Sequence, residues 1–257
     1  MSGMSASTGT QAIDRAAELV WLVVNGNRPY TFTELLAETD LAKSTGSRML
    51  QALERHQLLE RDAEGAFRPG ALFALYAARH DPIEEIARIA DPILRRIGRE
   101  TAETVNLAIP RGQMVVQVAQ VNSRFLLGAS NWVGIDVPAH CSALGKVFYA
   151  YGRIPLPTGE LERRTPRTVA STDKLRHELV QVLDQGYATT RGELEPGLDA
   201  VAVPVRGHDG TVVAAISVSG PDARLAGQLP SIGALLVAET FVLSGLLGHH
   251  PEEEGAA

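Results

Sequence analysis

The chain has 257 residues, of which 45% are hydrophobic and 21% are charged, and its formal net charge is -6 at pH 7. This length favours two domains, and the composition is that of a globular protein with a buried core, which excludes a fibrous or disulfide-stapled chain. The net negative charge excludes a protein that binds nucleic acid over its whole surface. A single cysteine, with no stretch typical of a secretory signal or a transmembrane helix, predicts a cytoplasmic protein.

Residues 1–10 are a Ser/Thr/Gly leader that we expect to be disordered. Apolar residues then recur at helical spacing and predict a first helix that ends at Gly26. Its expected apolar stripe is Ile13, Ala17, Val20 and Val24, widened by Leu19 and Val23.

Two further helices are predicted around a tight turn. Thr31 and Glu34 have capping-box spacing, so a second helix begins near Phe32. Asp40, a residue type that tolerates the left-handed backbone, ends it. A third helix is predicted from about residue 42 to residue 56, with its apolar side chains facing inward.

The third helix carries a polar face whose residue types suit a DNA groove. Arginine can donate two hydrogen bonds to guanine, glutamine can pair with adenine, and Ser, Thr or Lys near the helix start can hold phosphates. Every amphipathic helix has a polar face, so this face alone does not distinguish DNA recognition from solvent exposure. The helix does not stand alone, because "LLERDAEGAFRP" next predicts two short strands about a turn, as in a wing.

The sequence therefore predicts a winged helix-turn-helix DNA-binding domain over residues 11–69. Its candidate DNA contacts are Lys43, Ser44, Thr45, Ser47, Arg48, Gln51 and Arg55 on the helix, with Arg61 and Arg68 on the wing. Gly46 interrupts the helix, at a cost of about 1 kcal/mol against alanine. We expect that this glycine either lets DNA approach the backbone closely or leaves the helix locally soft.

The pattern changes after the wing. Residues 70–80, "GALFALYAARH", are apolar at helical spacing and predict a linker helix that packs against its twin in a dimer. Residues 81–248 predict an α/β domain with a largely antiparallel sheet. Its expected strands lie in "TVNLAIP", "GQMVVQVAQV", "RFLLGAS" and "LDAVAVPVRGHDGTVVAAISVSGP", in which Asp209-Gly210 is a hairpin signal. We expect residues 249–257 to form a flexible tail.

The chain's only cysteine, Cys141, lies beside His140 in "PAHCSALGKVFYA". Neighbouring side chains point apart on a strand and about 100° apart on a helix, so the two make a poor nucleophile and base. No cysteine or histidine pair has metal-ligand spacing. We therefore predict no catalytic residue, no metal site and no cofactor.

Ser142 is a natural N-cap for a helix that follows it. The amides of Ala143, Leu144 and Gly145 would then point outward at a positive helix end. Such an end is a suitable site for a carboxylate.

Three motifs carry a family resemblance that covers nearly the whole chain. The run "TFTELLAETDLAKSTGSRMLQALERHQLLERD" resembles the winged helix-turn-helix of IclR-family transcriptional regulators. "PAHCSALGKVFYA" resembles a motif of their effector domain, and "TRGELEPGLDAVAVPVRGHDGTVVAAISVSGP" resembles its C-terminal signature. The resemblance implies an α+β protein with an N-terminal winged helix-turn-helix, a linker helix and a C-terminal α/β, GAF-like effector-binding domain.

By the same resemblance, a small organic or aromatic acid lies between the start of the motif's helix and the closing strands. The matching positions are Cys141, Ser142, Ala143, Leu144, Gly145, Thr190, Ala200, Ser217 and Ser219. Some relatives carry Asp and Cys where Thr190 and Ala200 stand, so we expect a larger or more apolar ligand. Ser217 and Ser219 share one face of a strand and could hold the ligand or, alternatively, bond neighbouring backbone groups.

The sequence thus predicts a one-component transcriptional regulator whose DNA binding responds to a small-molecule effector. A homodimer or a dimer of dimers would bind a palindromic operator in double-stranded DNA, with no membrane partner. Two other classes stay open. One is a ligand-sensing or scaffold protein whose helix-turn-helix contacts other proteins, and the other is an enzyme that uses Cys141.

Overall fold

The computed structural model describes residues 11–26, 28–125, 133–134 and 136–250. These residues fall into two compact units that divide after Pro82. The predicted leader, most of the predicted tail and most of the predicted strand in "RFLLGAS" lie outside the described residues.

The first unit contains helices and a two-stranded antiparallel sheet. In chain order its elements are α1 (Gln11–Asn25), α2 (Phe32–Thr39), α3 (Lys43–Arg55), β1 (Leu59–Arg61), β2 (Phe67–Pro69) and α4 (Ala71–Arg79). Glu60 of β1 stands opposite Arg68 of β2. The predicted winged helix-turn-helix fold is confirmed.

Local hydrogen bonds set both ends of α2. Thr31 Oγ1 accepts from the Glu34 amide and the Glu34 carboxylate accepts from the Thr31 amide, which confirms the predicted capping box. The Arg28 guanidinium, followed by Thr31, lowers the pKa of Glu34 to about 2. Asp40 ends the helix in the left-handed conformation, at φ 51°, as its residue type predicts.

The core of the first unit is formed by apolar side chains of α1, α2, α3 and the wing. They are Leu19, Val23, Leu35, Leu50, Leu53, Leu59 and Phe67. The expected stripe of α1 is partly wrong, because Ile13 is 69% exposed and Val24 is 41% exposed. α1 packs against α2, α3 and β2, and the side with Leu19 and Val23 is the one that meets them.

Gly46 lies on the buried side of α3. A Cβ at this position would overlap the Leu36 side chain of α2. The expectation that Gly46 lets DNA approach the helix backbone is therefore wrong. The glycine instead allows α2 and α3 to pack closely.

The second unit contains, within its described residues, a six-stranded antiparallel sheet. Its strands are β3 (Thr104–Arg111), β4 (Met114–Val121), β5 (Asp136–Val137), β6 (Ala188–Arg191), β7 (Leu198–Arg206) and β8 (Val212–Pro221). They lie in the order β5-β4-β3-β8-β7-β6. Asp209-Gly210 lies in the turn of the β7–β8 hairpin, so the predicted sheet and hairpin are confirmed, whereas β5 and β6 were not predicted.

Helices cover both faces of this sheet. They are α5 (Pro82–Thr101), α6 (Ala143–Ala150), α7 (Thr172–Gln185), α8 (Asp222–Leu225) and α9 (Leu229–Leu246). α5, α8 and α9 share one apolar core with the sheet, and α6 and α7 share the other. Alternate residues of β7 point into the two cores, so that Val201 packs in the first core and Ala202 packs in the second. The predicted α/β domain is confirmed.

α9 is long and apolar enough to cross a membrane, judged by length and composition alone. Its Leu229, Leu236 and Leu243 are nevertheless fully buried in the core of the second unit. Phe241 and Leu246 remain exposed. α9 is therefore a core helix of this domain with one bare apolar face.

Candidate effector pocket and DNA-binding surface

A cavity in the second unit lies between the sheet and the start of α6. Its described wall consists of Asn106, Gln117, Val137, Cys141, Ser142, Ala143, Leu144, Thr190, Leu194, Leu198, Ala200, Ser217 and Ser219. Every predicted effector residue except Gly145 lies in this wall. Segments that are far apart in the sequence therefore meet at one place.

The start of α6 supplies two unbonded backbone N–H groups to this wall. A 3₁₀ turn (Ala139–Cys141) leads into Ser142, whose Oγ accepts from the Gly145 amide at 3.0 Å. Within the described residues, the amides of Ala143 and Leu144 donate to no other group. The expectation of three free amides is wrong for Gly145, because the cap uses its N–H. The other two can hold a carboxylate at the positive end of the helix.

The opposite wall carries hydroxyl groups from neighbouring strands. Ser219 stands opposite Ala200, and Ala200 stands opposite Thr190, so β8, β7 and β6 each contribute one residue along this row. Ser217 stands opposite Asn106 of β3. Neither serine hydroxyl donates to a backbone group in the part of the chain that the structure describes, so the alternative role in bonding the backbone finds no support.

Sequence reasoning missed Asn106 and Gln117, which also line the cavity. Asn106 interrupts the mostly apolar run "TVNLAIP", and Gln117 and Gln120 interrupt "MVVQVAQV". An amide within a mostly apolar strand is the signal that could have drawn attention to Asn106 and Gln117. The cavity has a volume of about 40 Å³. An apolar cavity of about 150 Å³ holds benzene, so a cavity of this size favours a compact ligand over the larger one that the sequence predicted.

The exposed face of α3 presents cations without acidic partners. Lys43, Arg48 and Arg55 are exposed, and none of them forms an ion pair within the described residues. Ser44, Thr45 and Gln51 are exposed beside them, and Ser47 is half-buried. α3 also has no acidic residue in its first turn and no side-chain cap, so its first amides stay available to a phosphate.

The two wing arginines differ from those of α3 because each is paired with a glutamate. Arg61 Nε lies 2.8 Å from Glu54 Oε1, and Arg68 Nη2 lies 2.6 Å from Glu60 Oε1. Their predicted phosphate contacts must therefore compete with these ion pairs. Within the described residues, α3 rather than the wing carries the unpaired positive charge.

Comparison with known proteins assigns a family to the domains that contain the two candidate sites. Residues 12–63 match the IclR helix-turn-helix domain, and residues 82–239 match the domain described as bacterial transcriptional regulator IclR C-terminal. The chain belongs to the IclR family. The resemblance stated from the sequence is thereby confirmed.

Relatives of this IclR-family chain span most of its length. The transcriptional regulator BhcR of Paracoccus denitrificans is 33% identical over 237 residues, which cover 87% of this chain and 82% of that protein. The structure of the Agobacterium tumefaciens repressor BlcR has a TM-score of 0.68 at 24% identity, covering 96% of this chain and 100% of that one. An IclR homologue from Microbacterium hydrocarbonoxydans, complexed with 4-hydroxybenzoate, has a TM-score of 0.56 at 23% identity, covering 92% and 100%. The last two likenesses show a shared fold.

The IclR family consists of transcriptional regulators with a DNA-binding and an effector-binding domain, not of enzymes, so the prediction of a non-enzymatic regulator is confirmed. The chemistry of Cys141 agrees. Burial raises the pKa of its thiol to about 11, so the reactive thiolate is scarce at neutral pH. His140 Nε2 donates to the Glu162 carbonyl oxygen at 2.8 Å, and Cys141 Sγ bonds the Pro138 carbonyl rather than His140.

Lys146, in the second turn of α6, forms ion pairs that connect this helix with two other segments of the IclR effector domain. Its Nζ donates to Glu193 Oε1 at 2.7 Å and to Glu178 Oε2 at 2.6 Å. The exposed fraction is 2% for the Lys146 side chain, 10% for Glu193 and 39% for Glu178. The pair joins α6 to the segment that contains Leu194, a residue of the cavity wall.

In this IclR-family regulator, Gly145 allows the start of α6 to pack closely against the 3₁₀ turn. A Cβ there would overlap the carbonyl oxygen and Cα of Ala139, which are backbone atoms and cannot rotate away. We expect Gly145→Ala to push α6 from the 3₁₀ turn and to lower the free energy of unfolding by about 1–3 kcal/mol, measured by urea denaturation. Gly227→Ala is the control, because nothing lies within 4 Å of its Cβ position. Equal stability of the two variants would contradict the packing role.

Proposed function

We propose that this protein is a cytoplasmic, dimeric repressor or activator whose binding to a palindromic operator changes when a small carboxylic acid enters the cavity beside α6. The observation that carries the proposal is the meeting of two free amides of α6 with the residues Ser217 and Ser219 around one cavity. Amides at a positive helix end bind a carboxylate, and hydroxyls fix its remaining polar groups.

The DNA-binding half of the proposal rests on α3. Its unpaired Lys43, Arg48 and Arg55 lie on one exposed face with Gln51, which is the arrangement that a recognition helix needs in a major groove. The chain's net charge of -6 means that attraction to DNA must come from this local face. The face therefore supports site-specific binding with a modest dependence on salt.

The dimer rests on α4. This helix is apolar, yet Leu72, Leu75 and Tyr76 are exposed and no residue of α4 is buried. Exposed apolar patches of this kind mark interfaces, and a second copy of the same helix is the simplest cover. Two-fold symmetry then presents two recognition helices to the two half-sites of a palindrome, in a dimer or a dimer of dimers.

The effector acts by changing the relative populations of two conformations of the dimer. A ligand changes DNA binding only if it has different affinities for two conformations of the dimer. The homologue complexed with 4-hydroxybenzoate shows that one protein of this fold accepts a small carboxylic acid. In this chain the carboxylate is held at the start of α6, and the bound form favours one placement of the paired DNA-binding domains.

Fluorescence anisotropy tests the proposal. We expect the purified protein to bind DNA from upstream of its own gene about a hundredfold or more tightly than scrambled DNA of equal length, over a series of salt concentrations. A panel of small carboxylic acids should change that affinity. Equal binding to both DNAs at every salt concentration, with and without the acids, would contradict it.

A further inference from the structure

Two carboxamide groups in the cavity wall have hydrogen-bonding atoms without partners. Asn106 Oδ1 and Gln117 Oε1 are buried and accept no hydrogen bond from any described residue. The residues are 3% and 5% exposed, so bulk water does not satisfy them. Such groups are rare in folded proteins because each loses its bonds to water and gains none in exchange.

A third atom of this kind, Asp199 Oδ1, belongs elsewhere. Asp199 is not part of the cavity wall, and its strand neighbours Leu198 and Ala200 are. Adjacent residues of a strand point to opposite faces, so Asp199 faces away. Among the orphaned oxygens in the described residues, only the two carboxamides line the cavity.

The two carboxamides are tied to the proposed effector site. Asn106 Nδ2 donates to Ser219 Oγ at 3.4 Å, a long hydrogen bond within the same wall. β3 and β4, which carry Asn106 and Gln117, are adjacent strands of the sheet. The cavity thus has free N–H groups at the start of α6 and free amide oxygens on the sheet.

We propose that the effector is a small aliphatic hydroxycarboxylic acid, with its carboxylate at the Ala143 and Leu144 amides and its hydroxyl at Asn106 and Gln117. This inference rests on the proposed effector function. A hydroxyl has one proton, so it donates to one of the two orphaned oxygens and accepts from the N–H of the other carboxamide, whose oxygen and nitrogen exchange places by rotation. The volume of about 40 Å³ favours an aliphatic acid over an aromatic one.

Isothermal titration calorimetry on the full-length protein tests the inference with matched acids that differ only in the hydroxyl. The pairs are glycolate and acetate, and lactate and propionate. We expect the hydroxy acid of at least one pair to bind about tenfold or more tightly than its partner, because the analogue leaves the carboxamides unpaired.

Gln117→Leu supplies the second arm. This variant removes the orphaned group at similar volume, so we expect it to lose the preference for the hydroxy acid while the ligand-free protein melts at the same or a higher temperature. Gln113→Leu is the control, because Gln113 is exposed outside the cavity and should leave the preference unchanged. If Gln117→Leu does not fold, Gln117→Met takes its place.

The outcomes separate the two hypotheses. If acids bind but both members of every pair bind equally, the hydroxy-acid inference is wrong and the effector function stands. If no acid of any pair binds at concentrations up to about 10 mM, the proposed carboxylate site is wrong, and the hydroxy-acid inference fails with it. An unchanged preference in Gln117→Leu would also overturn the role of the carboxamide.

Discussion

Lys146→Met is expected to lower the free energy of unfolding of the effector domain by about 3–5 kcal/mol, measured by urea denaturation followed by circular dichroism. The substitution leaves the buried Glu193 carboxylate without its cation. Burial already raises the pKa of Glu193, and the ammonium group of Lys146 is the main opposing influence. The loss is large because the charge is left behind in a site from which water is excluded.

Two comparisons distinguish this loss from a simple packing defect. Glu178→Gln removes the partner that is 39% exposed and should cost only about 0–1 kcal/mol. Lys146→Met combined with Glu193→Leu removes both buried charges and should recover most of the stability. A double variant as unstable as Lys146→Met would show that the charge on Glu193 is not the cause.

The pH dependence of the Lys146→Met variant has a definite sign. A carboxyl group whose pKa is raised in the folded protein stabilises the fold at low pH, and that contribution is lost as the pH rises through the raised pKa. Without Lys146 the pKa of Glu193 rises further. The deficit relative to the unsubstituted protein should therefore be largest at about pH 8 and shrink towards about pH 5.

Arg48→Ala is expected to weaken binding to the specific operator by about 10- to 150-fold while folding and dimerisation persist. Arg48 is exposed on α3, and no carboxylate within the described residues is paired with it. Its side chain can therefore form a bidentate contact to guanine without breaking an existing ion pair. Anisotropy on specific and scrambled DNA measures the loss, and full retention of specific binding would contradict the proposed recognition face.

Arg48→Lys separates base reading from charge. Lysine keeps the positive charge but loses the planar fork, so specificity should fall while non-specific binding and its salt dependence stay the same. If Arg48 contacts a phosphate instead, Arg48→Ala should weaken binding to all sequences and reduce the salt slope by about 1. Arg15→Ala is the control, because Arg15 lies on α1 and is already paired with Glu18.

Local signals predicted the parts of the fold that local hydrogen bonds determine. The Thr31 and Glu34 box, the left-handed Asp40 and the hairpin turn at Asp209-Gly210 each involve residues a few positions apart. The buried side of α1 was predicted less well, because two overlapping apolar stripes run along it and only packing against α2, α3 and β2 selects one. Gly46 was misread for the same reason, since its meaning depends on Leu36 of another helix.

Some residues of the candidate effector site could likewise be predicted from local sequence, and others could not. The Ser142 cap and the strand spacing of Ser217 and Ser219 could be read from the sequence. The amides of Asn106 and Gln117 stand out within apolar strands, but the sequence alone could not assign them to the cavity, because their position depends on which face of β3 and β4 the rest of the domain covers. A polar residue in a strand ordinarily marks the solvent side, and only the sheet order shows that this side is buried.

The glutamates that hold the wing arginines bear on how the regulator finds its site in a genome. Non-specific affinity comes from cations that release the counterions of DNA, and Arg61 and Arg68 are already occupied by Glu54 and Glu60. A protein with fewer available cations spends less time on the roughly 10⁶ or more competing positions of a chromosome. The ion pairs within the wing therefore weaken non-specific binding, and a larger share of the regulator is free of non-specific DNA and can reach its operator.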